Sequence, residues 1–123
     1  MSLGTGAKNT GQRAEAAALA HLAANGLKLQ HRNYRCRGGE IDLVMRDGDT
    51  TVFVEVRFRR SARFGTPEAT VDRRKQSRLV RAARHYLGQH GLVTCRFDVV
   101  GITGEPPRIH WIRNAFEDGS GTW

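Results

Sequence analysis

A chain of 123 residues, 39% hydrophobic and 26% charged, has room for one domain with its own core and not for two. A formal charge of +8 and a pI near 10.7 point to an acidic partner, with nucleic acid the commonest; the alternative is a merely soluble basic surface. Cys36 and Cys95 form no disulfide framework, the five histidines are too scattered for zinc, and no apolar run has membrane length or a signal-peptide layout, so a cytoplasmic protein without membrane contact is expected.

Residues 1–10 are small and polar and read as a flexible tail. From Gly11 to Asn25 the chain is alanine-rich, with Ala14, Ala18, Leu19 and Leu22 at helical spacing, Asn9 or Thr10 as a cap and Gly26 as a stop. Leu27–Tyr34 reads as a strand or its approach, and Arg35–Gly39 as a basic loop. Glu40–Arg46 and Thr51–Arg59 are extended runs separated by Asp47-Gly48-Asp49-Thr50, a strong hairpin signal. After a basic loop over residues 61–66, Thr66-Pro67 resembles a capped helix start. That helix carries Val71, Leu79, Ala82, Ala83, Tyr86 and Leu87 on one stripe and ends near Gly88 or Gly91. Val93–Ile102 is a further strand, Pro106-Pro107 breaks it from a short last strand, Ile109–Ile112, and the chain beyond is polar. The domain is thus expected over residues 11–115, with a frayed tail at 116–123.

The hairpin carries most of the information. With Gly48-Asp49 or the four residues Asp47–Thr50 in the turn, Arg46 pairs with Thr51 and Asp42 with Glu55. One face then holds Ile41, Leu43, Met45, Val52, Val54, Val56 and Phe58, and the other Glu40, Asp42, Val44, Phe53, Glu55, Arg57 and Arg59. Two carboxylates about 5 Å apart across a strand pair repel by roughly 3 kcal/mol at an effective dielectric near 20. A shared proton, a neighbouring cation or a metal must offset that. An all-oxygen site partly open to water suits Mg²⁺ or Mn²⁺; alternatively, Arg57 and Arg59 neutralise the pair in a solvated cluster. Glu15, beside the apolar stripe of the first helix, is either a further ligand or a helix-start glutamate favoured by the dipole. Lys75 falls between Val71 and Leu79 on the buried stripe, so its ammonium either reaches an acidic site or snorkels to water.

Gly39-Glu40-Ile41-Asp42-Leu43 followed by Val52-Phe53-Val54-Glu55-Val56-Arg57-Phe58-Arg59 resembles the Asp…Glu-x-Lys core of the PD-(D/E)xK nucleases. The resemblance is closer to one branch, the bacterial YraN-type uncharacterised family, similar to archaeal Holliday-junction resolvases. Gly11-Gln12-Arg13-Ala14-Glu15, Arg32-Asn33-Tyr34-Arg35, Phe64-Gly65, Lys75 and Arg96-Phe97-Asp98 agree with that branch, so the likeness runs from about Gly11 to Asp98. It implies an α/β, restriction-endonuclease-like, three-layer α/β/α fold with a central mixed sheet. It also implies Mg²⁺ or Mn²⁺ held by Asp42, Glu55 and Glu15, with Glu40 a further candidate, and hydrolysis of phosphodiesters in DNA, branched or damaged DNA included. The motif lysine is replaced by Arg57, an effective phosphate contact and a poor general base. Three readings follow: Arg57 suffices electrostatically, Lys75 reaches in to substitute, or catalysis is lost and a silent DNA- or RNA-binding module remains. The catalytic candidates are therefore Asp42, Glu55, Arg57 and Lys75.

Basic residues flank these acids. Arg35 and Arg37, with Arg32, precede the hairpin, and Arg57, Arg59, Arg60 and Arg63 run from its charged face into the following loop. Arg74 and Arg78 lie on the second helix with Arg73, Arg81 and Arg84. In one cleft they would contact phosphates without reading sequence, DNA being favoured over RNA; a solvated helix face is the bland alternative. No helix-turn-helix or zinc finger is present for base readout. The resolvase likeness also implies a homodimer, for which no interface is legible.

Overall fold

Helix α1 (Ala7–Ala24) leads into strands β1 (Lys28–Cys36), β2 (Gly39–Asp47) and β3 (Thr50–Arg59), followed by α2 (Arg73–His90), β4 (Cys95–Thr103) and β5 (Arg108–Phe116). These elements come from a computed structural model that describes residues 7–60, 71–104 and 106–117. The strands form one mixed sheet in the order β1-β2-β3-β4-β5, in which only the β3–β4 pair, joined through α2, is parallel.

Helix α1 begins earlier than expected, at Ala7, so Asn9 and Thr10 lie inside it and residues 7–10 are not tail. Nothing between Ala7 and Gly11 forbids the helix, and an interior glycine costs only about 1 kcal/mol. Its C-terminus closes through Gly26 (φ 94°), whose N–H donates to Ala23 O (3.0 Å) while Leu27 N–H donates to Leu22 O (3.1 Å). Leu27 and Leu22 join the same buried cluster, so the cap also anchors the helix on the sheet. For α2, the expected Thr66-Pro67 cap lies outside the described residues. Asp72 caps the helix, accepting from Lys75 N–H at 2.9 Å, and Gly91 (φ 95°) closes it.

The hairpin takes the two-residue option, with Asp47 paired to Thr50 around Gly48-Asp49. Alternation then buries both faces. Leu43, Met45, Val52, Val54, Val100 and Ile102 pack under Ala14, Ala18 and Leu22 of α1. Val44, Phe53, Phe97 and Val99 pack under Leu79, Ala82, Ala83, Tyr86 and Leu87 of α2. The result is an α/β three-layer fold with the sheet as its middle layer. The expectation of one apolar and one charged hairpin face needs correcting, because Val44 and Phe53 are fully buried under α2. Ile41 also departs from it, joining the α2 cluster while Leu43 joins that of α1. Strict alternation assumes a continuous ladder, and the β2–β3 ladder stops at Leu43–Val54. Strand β5 is longer than expected and includes Phe116, stacked on Phe97 (centroids 4.9 Å apart). Residues 118–123 of the expected tail are outside the described residues.

Gly39 fixes how α2 sits on β2. A Cβ there would fall on the Arg78 carbonyl oxygen, with Ala82 N and Ala82 Cβ at 3.0 and 3.1 Å, all parts of the helix that cannot swing aside. Gly39→Ala is expected to destabilise the fold by about 2 kcal/mol or more. Gly88→Ala, whose Cβ meets nothing within 4 Å on an exposed helix position, is expected to stabilise by up to about 1 kcal/mol. Urea unfolding of the two variants checks both signs.

Candidate functional site

Where β2 and β3 part, a side chain takes over from the ladder. Val56 N–H, which would otherwise bond across to β2 backbone, donates to Asp42 Oδ2 at 2.8 Å. This places the Asp42 carboxyl beside that of Glu55, with which it shares a hydrogen bond. Glu55 is 3% exposed, and its Oε2 lies 3.4 Å from both Arg57 Nη1 and Lys75 Nζ. The two cations therefore converge on one acid of the pair. Lys75 thus reaches an acidic group, as one of its two sequence readings requires, and its side chain remains one-third exposed.

Burial and then the Glu55 charge push the Asp42 carboxyl from 3.8 up to about 8; the Val56 N–H bond opposes the shift, and Glu15 adds to it. The upward shift favours a proton held within the Asp42–Glu55 pair, which relieves the repulsion. The alternative in which Arg57 and Arg59 neutralise the pair is met only in part: Arg57 contacts Glu55, whereas Arg59 Nη1 donates to the Phe58 carbonyl at 3.4 Å.

Asp42 opens towards α1, into a cavity of about 380 Å³ that also receives Glu15, Asn33, Arg35, Glu40, Val56 and Phe58. Glu15 Oε1 accepts from Asn33 Nδ2 (3.1 Å) and Arg32 Nη2 (3.4 Å). Asn33 can do this because it takes a left-handed conformation (φ 51°) in the middle of β1, a geometry asparagine tolerates better than most residues. Sequence reasoning quoted Asn33 only within a motif; its propensity for positive φ was the available signal. Glu40 lies at the rim with Arg78 Nη2 3.7 Å away. Glu15, Asp42, Glu55, Arg57 and Lys75 thus come from four elements to one region. The donors are all oxygen, the set Mg²⁺ and Mn²⁺ prefer, yet among the described residues no three His, Cys, Asp or Glu side chains are gathered closely enough to hold an ion.

The arginines divide. Arg35 reaches the Asp42 cavity, while Arg37, Arg60 and Arg74 are exposed outside its lining and Arg63 is outside the described residues. Arg73, Arg81 and Arg84 line a separate groove of about 710 Å³ with Gln76, Ser77 and Glu117. A single arginine cleft is therefore not what the described residues form. No helix among them is long and apolar enough to cross a membrane.

Asp98, quoted from the sequence without a role, is a structural acid. Fully buried, it accepts from Arg96 Nε (3.0 Å), Trp111 Nε1 (2.9 Å) and Asn114 N–H (2.9 Å), and Arg96 bridges on to Asp47 at 3.0 Å. It ties β4 and β5 to the hairpin turn. Arg96 and Asp98, two apart on a strand, share a face, which was the signal for their pairing.

A three-layer α/β/α domain with a five-stranded mixed sheet between two helices is compatible with a restriction-endonuclease-like architecture. The profile of Uncharacterised protein family UPF0102 matches residues 14–102, and the chain belongs to that family. It is 53% identical over 115 residues to a UPF0102 protein of Stutzerimonas stutzeri, covering 89% of this chain and 96% of that protein. To one of Nitrosomonas europaea it is 55% identical over 114 residues (91% and 97% covered), and to one of Chromohalobacter salexigens 59% over 99 residues (78% and 80%).

The raised Asp42 pKa has a definite sign. Its unfolded value is near 4 and its folded value about 8, so stability is greatest below the former and is lost as pH rises through the latter. Asp42→Asn is expected to leave the melting temperature at pH 4 nearly unchanged and to raise it at pH 9, by up to about 5 kcal/mol in stability. Thermal melts across that range check it. Asp98→Ala is expected to cost about 3 kcal/mol at neutral pH by stranding Arg96 and Trp111, readable in urea unfolding.

Proposed function

We propose that this protein is a divalent-cation-dependent nuclease that hydrolyses phosphodiesters in DNA, branched or damaged DNA included. The observation that carries the reading is the Asp42–Glu55 pair: two carboxyls in contact at the end of a ladder, flanked by two cations, beside an open cavity. Asp42 and Glu55 would hold Mg²⁺ or Mn²⁺, with Glu15 facing the same cavity. Such an ion, when bound, lowers the pKa of a water and offsets charge on the phosphodiester.

The chain's own residues do the rest. Asp42 gives up its proton to become a ligand, so cation affinity rises with pH. Val56 N–H and Asn33 orient Asp42 and Glu15. Arg57 and Lys75 fix Glu55 and present positive charge to a phosphate; Lys75, unlike Arg57, is also able to exchange a proton. Arg35 and the exposed Arg37, Arg60 and Arg74 extend that field along a strand. The reading places the protein in the cytoplasm with its DNA, as a homodimer where the substrate is two-fold symmetric.

Cleavage of a panel of duplex, branched and single-stranded DNA with Mg²⁺ and Mn²⁺ tests the proposal. Asp42→Asn and Glu55→Gln are each expected to lower the rate at least about 100-fold while DNA affinity in metal-free buffer is kept. Arg57→Lys is expected to stay within about tenfold of the parent, its role being charge and position. Tight DNA binding without cleavage under every condition would assign the silent binding module instead, a reading the arginine at position 57 favours. Competition with structured RNA separates the two nucleic acids.

A further inference from the structure

We infer that the apolar pocket beside the Asp42 cavity receives an unstacked nucleobase of the strand whose phosphate lies at the carboxylates, with Phe58 as the stacking surface. The inference rests on the proposed function for that phosphate. The pocket, of about 360 Å³, is walled by Ala14, Ala17, Phe58, Ile102 and Pro107, with Arg13 at its edge. It shares Ala14 and Phe58 with the cavity of Asp42 and Glu15, so the two adjoin across these side chains.

The two halves differ in chemistry. Glu15, Glu40 and Asp42 supply acids to one half; among the described residues, those that line the other are uncharged apart from Arg13. A phosphate has little to gain among Ala17, Ile102 and Pro107, whereas a flat, weakly polar ring does. Phe58 is the pocket's aromatic side chain, and it is only partly covered. It lies two residues beyond Val56, whose N–H holds Asp42, and so about 7 Å along the strand on the same face. A base and its adjoining phosphate can span that separation. A base stacked within a duplex cannot enter, so the substrate class is DNA with an unpaired or extruded nucleotide next to the bond to be cut. This supplies a selectivity by structure rather than by sequence.

Binding in Ca²⁺ of a fluorescently labelled duplex with one unpaired adenine, against the same duplex with an abasic residue in that place, tests this without cleavage. The parent is expected to prefer the unpaired base about tenfold. Phe58→Ala is expected to bring the ratio to about one and Phe58→Trp to restore it, with circular dichroism showing that both fold. Ala17→Phe, which fills the pocket from α1 and leaves residue 58 unchanged, is expected to abolish the preference independently. Equal affinity of the parent for the two duplexes overturns the pocket assignment even if the protein cuts DNA. A preference lost in these variants, in a parent that cuts nothing with Mg²⁺ or Mn²⁺, keeps the pocket and removes the nuclease reading. Binding of neither duplex overturns both.

Discussion

The hydrogen bond from Val56 N–H to the Asp42 carboxyl governs the site, because it replaces a backbone acceptor at the point where β2 and β3 separate. Had the ladder continued past Leu43–Val54, Asp42 and Glu55 would lie as an ordinary opposed pair on one sheet face. The parting instead aims Asp42 at the α1 side, towards Glu15, and Glu55 at the α2 side, towards Lys75. The site therefore passes through the sheet. Each helix layer contributes one residue to it, and the buried register on both faces keeps those contributions aligned.

The same geometry decides what was legible. The hairpin register followed from Asp47-Gly48-Asp49-Thr50 and a period of two, both local properties of the chain. The stripe of α2 followed from spacing alone, since Leu79, Ala82, Ala83, Tyr86 and Leu87 all face the sheet. Ile41 was misplaced because its side is set by the end of the ladder, and the end of a ladder is a tertiary fact. The left-handed Asn33 and the Asp72 cap were open to local reading, but the start of α2 competed with Thr66-Pro67, an equally good signal by the same rule. For the site, residue types and spacing indicated which acids and cations to join. They could not indicate that Lys75 and Arg57 would both settle on Glu55 and leave Asp42 to a shared proton.

The arginine excess likewise has more than one destination. Arg96 neutralises Asp98 and Asp47, Arg78 meets Glu40, and Arg113 lies over the Trp111 ring at 4.1 Å. These ion pairs are already balanced within the net charge of +8, whose excess is distributed over several faces rather than gathered in one cleft. Arg35 at the Asp42 cavity and Arg13 at the apolar pocket are few by comparison, and their value lies in position.

Asp98 and Asp42 show two ways in which this chain sequesters a carboxylate, and the contrast bears on function. Asp98 is met by donors from Arg96, Trp111 and the Asn114 backbone, a set of partners that occupies both carboxyl oxygens in a buried setting. Asp42 receives one backbone N–H, faces a second acid and is left with a pKa near 8. A fold that needed only a buried polar link there had the means to build one, as Asp98 demonstrates a few strands away. An acid kept short of donors, beside another acid, is costly to stability and pointless to packing. On the proposed function that cost has a use, since the carboxyl would keep its negative charge withheld until a cation took the proton's place.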